Sequence, residues 1–101
     1  MTAARVDFAA LPWEQLAEGL RCKSAERGGR RLRLLELAPG YEEAGPCVKS
    51  HAGYLVRGEL VLEFSDRAER LAPGDALHIG DDPHRAKAGG AGALVFLVED
   101  A

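Results

Sequence analysis

The chain reads as an all-β domain, an antiparallel barrel or sandwich, on three observations. Its apolar residues fall in short runs of about four to eight, the usual length of a strand. Twelve glycines and five prolines punctuate those runs. The run "LVFLV", Leu94–Val98, is apolar on both faces. A strand of that kind is buried on both sides, which two packed sheets or a closed barrel allow and a single open sheet does not.

Taken in order, "LPWEQLAEG" predicts the one short helical segment, near Pro12–Ala17, with Pro12 at its first position and Gly19 closing it. Phe8 and Trp13 are expected to pin this N-terminal stretch against the barrel. Strands are then predicted at Leu20–Glu26, Arg31–Ala38, Val48–His51, Tyr54–Arg57, Glu59–Phe64, Ala68–Leu71, Ala76–Ile79, His84–Ala88 and Ala93–Glu99. Gly28-Gly29, Gly58, Ser65–Arg67 and Gly89-Gly90 read as the turns between them. "APG" occurs twice, and its second copy continues as "APGD", a tight turn that delivers a new strand with Asp75 at its base.

At 101 residues the chain fits one domain, long enough for a single core. The net charge of −3 and the interspersed signs argue against nucleic acid as partner, because phosphate binding needs clustered Lys and Arg. The basic stretch "RGGRRLR", Arg27–Arg33, alternates with leucines and reads as the solvated start of a strand. No apolar run reaches the roughly 18 residues that span a bilayer. The N-terminus lacks the pattern of a signal peptide, so a cytoplasmic location with two free thiols is expected.

Only two cysteines and three histidines are available for metal or nucleophile chemistry. Along a strand, residues two and four apart share a face, so Cys47, Lys49 and His51 do so if that segment is extended. A thiolate and an imidazole at this spacing can reach one ion at about 2.0–2.3 Å, given a third ligand from a neighbouring strand. His84, after the "GDDP" turn, is the natural third. The alternative is a buried thiol beside a packed ring. A Cys/His/His set favours zinc, with iron, nickel or copper as the other candidates, because thiolate is a soft ligand. By alternation His78 points away from the apolar side. Cys22 reads as a small core residue, and Asp81 and Asp82 as turn chemistry.

The stretch from Gly40 to His84 resembles the cupin superfamily, small double-stranded β-helix (jelly-roll) barrels with two linked motifs. Gly58, within "YLVRGEL", matches the glycine that ends the first motif. Counting back from it places His51 where the family has a glutamate, Cys47 at the second histidine of the family pair, and Gly45 at the first. "PGDALHIGDDPH", Pro73–His84, resembles the second motif, with Gly80 in place of the usual proline. A subset of small cupins is similar in carrying a Cys followed by "HxGYvl.G".

The resemblance implies one cupin domain over residues 1–101, with its barrel core at about 30–99. It implies a metal set of Cys47, His51 and His84, since Gly45 cannot ligate, and open positions for water or substrate. The loop with Tyr41, Glu42 and Glu43 borders the barrel mouth in such a fold, making Glu43 a pocket-lining candidate beside Lys49 and Tyr54. With no glutamate at position 51, a standard dioxygenase is not implied. Two readings follow: a metal-dependent cupin, enzyme or binder, for a small polar organic molecule, or a metal-free ligand-binding, sensing or structural cupin. A homodimer is expected in either case, since an uncovered edge on so short a chain invites aggregation.

Overall fold

The computed structural model describes residues 4–45, 47 and 50–101. Among these, seven strands make one antiparallel sheet: β1 (Glu14–Ala17), β2 (Leu20–Arg27), β3 (Arg30–Leu37), β4 (His51–Glu63), β5 (Ala68–Leu71), β6 (Ala76–Ile79) and β7 (Arg85–Asp100). They run in the order β1-β2-β3-β7-β4-β5, with β6 also paired to β4. The all-β expectation holds. The helical segment, however, is a single 3-10 turn at Phe8–Ala10. Glu14–Ala17 is instead an exposed edge strand paired to β2. Four residues cannot offset the cost of starting a helix, whereas β2 supplies ready backbone partners.

The hairpin between β2 and β3 turns through Gly28 and Gly29, at φ +58° and +78°. Arg27 pairs with Arg30 across it. Two consecutive positive φ values make the tight turn whose twist suits a hairpin, and glycine adopts both without a Cβ penalty.

Two expected turns are absent. Tyr54–Arg57 and the run that begins at Glu59 belong to one strand, β4, which ends at Glu63, and Gly89-Gly90 lies inside β7. Gly58 marks an irregularity rather than a turn: the β4–β7 register shifts between Leu55 and Arg57 and again between Gly58 and Leu60. At φ +89°, any Cβ on Gly58 would run into the backbone of Gly92 and Ala93. Such bulges bend a long strand and sharpen its twist.

Residues 93–98 of β7 pair with β3 on one side and with β4 on the other. Ala93, Leu94 and Val95 are all buried, as the doubly apolar run predicted. Inward positions of β3, β4, β6 and β7 supply the core, centred on the fully buried Leu55 and including Leu37, Leu60, Leu62, Leu77, Ile79 and Val95.

The "APGD" turn forms as anticipated. The Asp75 carboxylate accepts the Ala72 N–H at 2.8 Å, and the Asp75 carbonyl accepts the Leu55 N–H at 3.0 Å. Phe8 packs edge-on against Phe96, and the Lys23 ammonium donates to the Phe8 carbonyl. Trp13 lies under the Arg21 and Lys23 cations. The N-terminal stretch is thereby fastened to the outside of the barrel. No helix among the described residues is long and apolar enough to cross a membrane.

Candidate metal centre

Three of the predicted residues meet. The candidate ligand atoms of Cys47, His51 and His84 all lie within 4.8 Å of one another. Their convergence begins in the backbone. Cys47 and His84 form an isolated antiparallel bridge, each donating its N–H to the carbonyl of the other. His51 opens β4, where it pairs with Ile79 at the end of β6. The segment that leaves β6 through Gly80–Pro83 therefore carries His84 back over the start of β4.

The donor set suits a soft or borderline divalent ion. Cys47 Sγ and His51 Nε2 stand 3.6 Å apart. Two metal–ligand bonds of about 2.3 and 2.05 Å meeting at a tetrahedral angle span about 3.6 Å, so this separation matches that of two donors on one ion. His84 Nδ1 is 2.9 Å from the Asp82 carbonyl oxygen. A carbonyl only accepts, so Nδ1 carries the proton and Nε2 keeps its lone pair.

His51 is held differently. Its Nδ1 lies 2.9 Å from Oε2 of Glu99, which is only 5% exposed. The ring is not aimed for a linear hydrogen bond, and neither atom has another partner. A small rotation of the imidazole would align this orphaned pair, and a carboxylate behind a ligating histidine fixes the tautomer that leaves Nε2 free. Burial, foremost, lowers the pKa of His51, with nearby His84 acting in the same direction and Glu99 opposing. The neutral imidazole that a metal requires is thus the favoured form.

Glu99 is also held by Arg33 at 3.1 Å and faces Arg31 at 3.8 Å. Neither Glu99 nor Arg33 was among the predicted site residues. "RGGRRLR" does start a strand, but Arg33 shares the inward parity of Leu35 and Leu37. Glu99 likewise continues the inward set Val95 and Leu97. The alternation was there to be read; the charge of the two residues masked it.

The three candidate ligands line a cavity of about 240 Å³, together with Arg33, Glu43 and Tyr41. Glu43 is part of that lining, its Oε1 accepting the Ala86 N–H at 2.8 Å. Tyr54 does not line this cavity. It is 46% exposed and packs against Phe96 on the outer face, because β4 turns His51 and Leu55 inward and Tyr54 outward. Lys49 lies outside the described residues. His78 is exposed, and Cys22 is a buried free thiol, as expected.

No protein-family model matches the sequence, and no curated protein matches it. Solved structures do. The chain superimposes on KdgF from Halomonas sp. with a TM-score of 0.79 at 19% identity, covering 99% of this chain and 96% of that one. An RmlC-like cupin from Shewanella frigidimarina gives 0.80 at 14% identity over 98% and 91% of the two chains. The polyketide cyclase RemF from Streptomyces resistomycificus gives 0.80 at 22% identity over 98% and 80%. With the antiparallel barrel, the "PGD" turn and the inward histidines in place, the fold of this chain is that of the cupin superfamily.

Proposed function

We propose that this protein is a metal-dependent cupin that binds a small organic molecule at an ion held by Cys47, His51 and His84, zinc being the first candidate. One observation carries the reading: three donors of the right chemistry converge within 4.8 Å on the wall of a cavity. Bound there, a divalent ion supplies Lewis acidity, or an activated water, at the positions that three protein ligands leave open. The chain's own contributions are separate. The Asp82 carbonyl sets which nitrogen His84 presents, and Glu99 would do the same for His51 after a small turn of the ring. The aliphatic wall lowers the local polarity beside the site, which strengthens the charge interactions next to it. That the polyketide cyclase RemF is built on the same barrel supports an enzymatic reading over a purely structural one, although a shared fold does not transfer its reaction.

Elemental analysis of purified protein tests this. About one equivalent of transition metal is expected. His51→Ala should lose most of it, and Cys47→Ser should move the preference away from soft ions. Protein without metal, or metal content unchanged in both variants, overturns the reading in favour of a metal-free binding protein. The homodimer belongs to the same proposal. Leu16 on the edge strand β1, with Tyr54 and Val56 on β4, leaves apolar side chains exposed. A strict monomer in sedimentation would refute that part.

A further inference from the structure

The cavity that holds the three candidate ligands is a poor match for the small polar molecule the sequence suggested. Ten of its sixteen lining residues are aliphatic: seven leucines with Ile79, Val95 and Ala86. The six polar side chains are divided by charge. On the His51 side stands Arg33, one of whose N–H groups holds Glu99, while the others have no partner among the described residues. Behind it, the Glu99 carboxylate is shared between Arg33 at 3.1 Å and Arg31 at 3.8 Å, and Arg31 also faces Glu26 at 3.7 Å, so what Arg33 offers a ligand is its unpartnered N–H groups. Elsewhere in the lining, Glu43 spends Oε1 on the Ala86 N–H, and its Oε2 has no partner among the described residues. Glu43 makes its field felt at the neighbouring Tyr41, whose phenol is pushed up by burial first and by that carboxylate second.

Resting on the reading that this cavity is the ligand site, we propose that it selects an amphipathic organic monoanion, a short-chain or monocyclic carboxylate. The acid group would meet Arg33 and the metal side, and the hydrocarbon body would lie on the leucine wall. Size, charge and polarity each restrict the class. At about 240 Å³ the cavity lies below the range of roughly 300–1,000 Å³ usual for sites that take drug-sized ligands, so a small molecule suits it. A neutral analogue forgoes the guanidinium, whose planar fork of donors matches a carboxylate. A dianion brings its second charge onto aliphatic side chains or toward Glu43, where an unpaired charge is costly. A polyhydroxylated acid leaves its hydroxyls against leucines without hydrogen-bond partners.

Three probes of one chain length separate these terms: hexanoate, 1-hexanol and adipate, titrated calorimetrically into zinc-loaded and into chelator-treated full-length protein. Hexanoate should bind at least about tenfold more tightly than either of the others. Arg33→Met should bring hexanoate down to the level of hexanol. Glu43→Gln, which keeps an acceptor for the Ala86 N–H, should narrow the gap between adipate and hexanoate. Circular dichroism checks that both variants fold; should Arg33→Met not fold, the unmodified protein and Glu43→Gln still decide. Hexanol or adipate matching hexanoate in the unmodified protein overturns the proposal, as does the absence of saturable binding by all three at millimolar concentration. If zinc does not bind, the metal reading fails by itself. The ranking on the metal-free protein then still tests the ligand class, because Arg33, Glu43 and the leucines are unchanged.

Discussion

His51 and His84 face one another across the same cavity, their rings 5.4 Å apart and nearly perpendicular, yet they are positioned by different means. His84 is oriented locally, by a carbonyl two residues before it and by the backbone bridge to Cys47. His51 is backed by Glu99, 48 positions away, whose Oε2 stands 2.9 Å from Nδ1 without an aligned hydrogen bond and is brought there because β4 and β7 run side by side, with Ala52 opposite Val98. One support is backbone that no substitution removes. The other is a buried carboxylate whose charge must itself be balanced by Arg33 and Arg31. The two histidines should therefore respond very differently to changes in the residues behind them.

The largest effect is expected at Glu99. Glu99→Gln leaves Arg33 without its counter-charge in a buried setting, and removing one partner of such a pair costs roughly 3–5 kcal/mol. The same change loosens the orientation of His51, and loss of such a support typically lowers metal affinity by about 10–100-fold. Chemical denaturation of the metal-free protein and zinc titration of the folded protein read the two effects separately. A variant as stable as the parent, with unchanged zinc affinity, would break the contrast between the two histidines.

The pH dependence of the metal-free protein sharpens it. Burial favours neutral His51 in the fold, whereas in the unfolded chain the ring takes a proton near its ordinary value of 6.5. The unfolded state thus binds more protons as pH falls through that value, so stability present above pH 6.5 is lost below it. Once the folded His51 is protonated as well, the loss stops growing. Glu99 opposes the lowering, so Glu99→Gln should deepen the acid loss. Denaturant midpoints compared at neutral and mildly acidic pH, with His51→Ala as reference, check both directions. No flattening in His51→Ala would remove His51 as the cause.

How much of this was legible follows the same division. Short-range features were: the Gly28-Gly29 hairpin, the Asp75-closed turn and the nearness of Cys47 to His51 rest on spacings of a few residues, while His84, 33 positions beyond His51, was legible from the motif that it ends. Long-range features were not. Runs separated by Gly58 or by Gly89-Gly90 look like distinct strands, because a bulge and a turn use the same residue. Only the neighbouring strand decides between them: β4 pairs with residues 85–88 of β7 and again with 93–98. Arg33 and Glu99 were hidden for a related reason. Charged residues at inward positions are rare unless paired, and the pairing depends on β3 lying beside β7, where Arg31 stands opposite Glu99.

Pro83 offers an intermediate test. It stiffens the turn that delivers His84, and giving that backbone back its freedom should cost about 0.4–1 kcal/mol, which thermal or denaturant unfolding of Pro83→Ala would register. Zinc affinity should fall by less than in Glu99→Gln, because the Cys47–His84 bridge remains. A larger loss of zinc than at Glu99 would reverse the order proposed for the two supports.

The smallest effect is expected at Asp82, although it stands nearer to His84 in sequence than Glu99 does to His51. Its side chain is exposed, and what it offers His84 Nδ1 is its main-chain carbonyl. Asp82→Ala keeps that carbonyl and the Pro83 that follows it. Stability should change by no more than about 0.5 kcal/mol, as at other exposed sites. Zinc affinity should stay within about twofold, less than the 1.4 kcal/mol that a tenfold change represents. The measurement is a zinc competition titration of Asp82→Ala beside Glu99→Gln at one pH. A loss at Asp82 as large as that at Glu99 would mean that the Asp82 carboxylate itself reaches the ion, and that the centre has a fourth protein ligand.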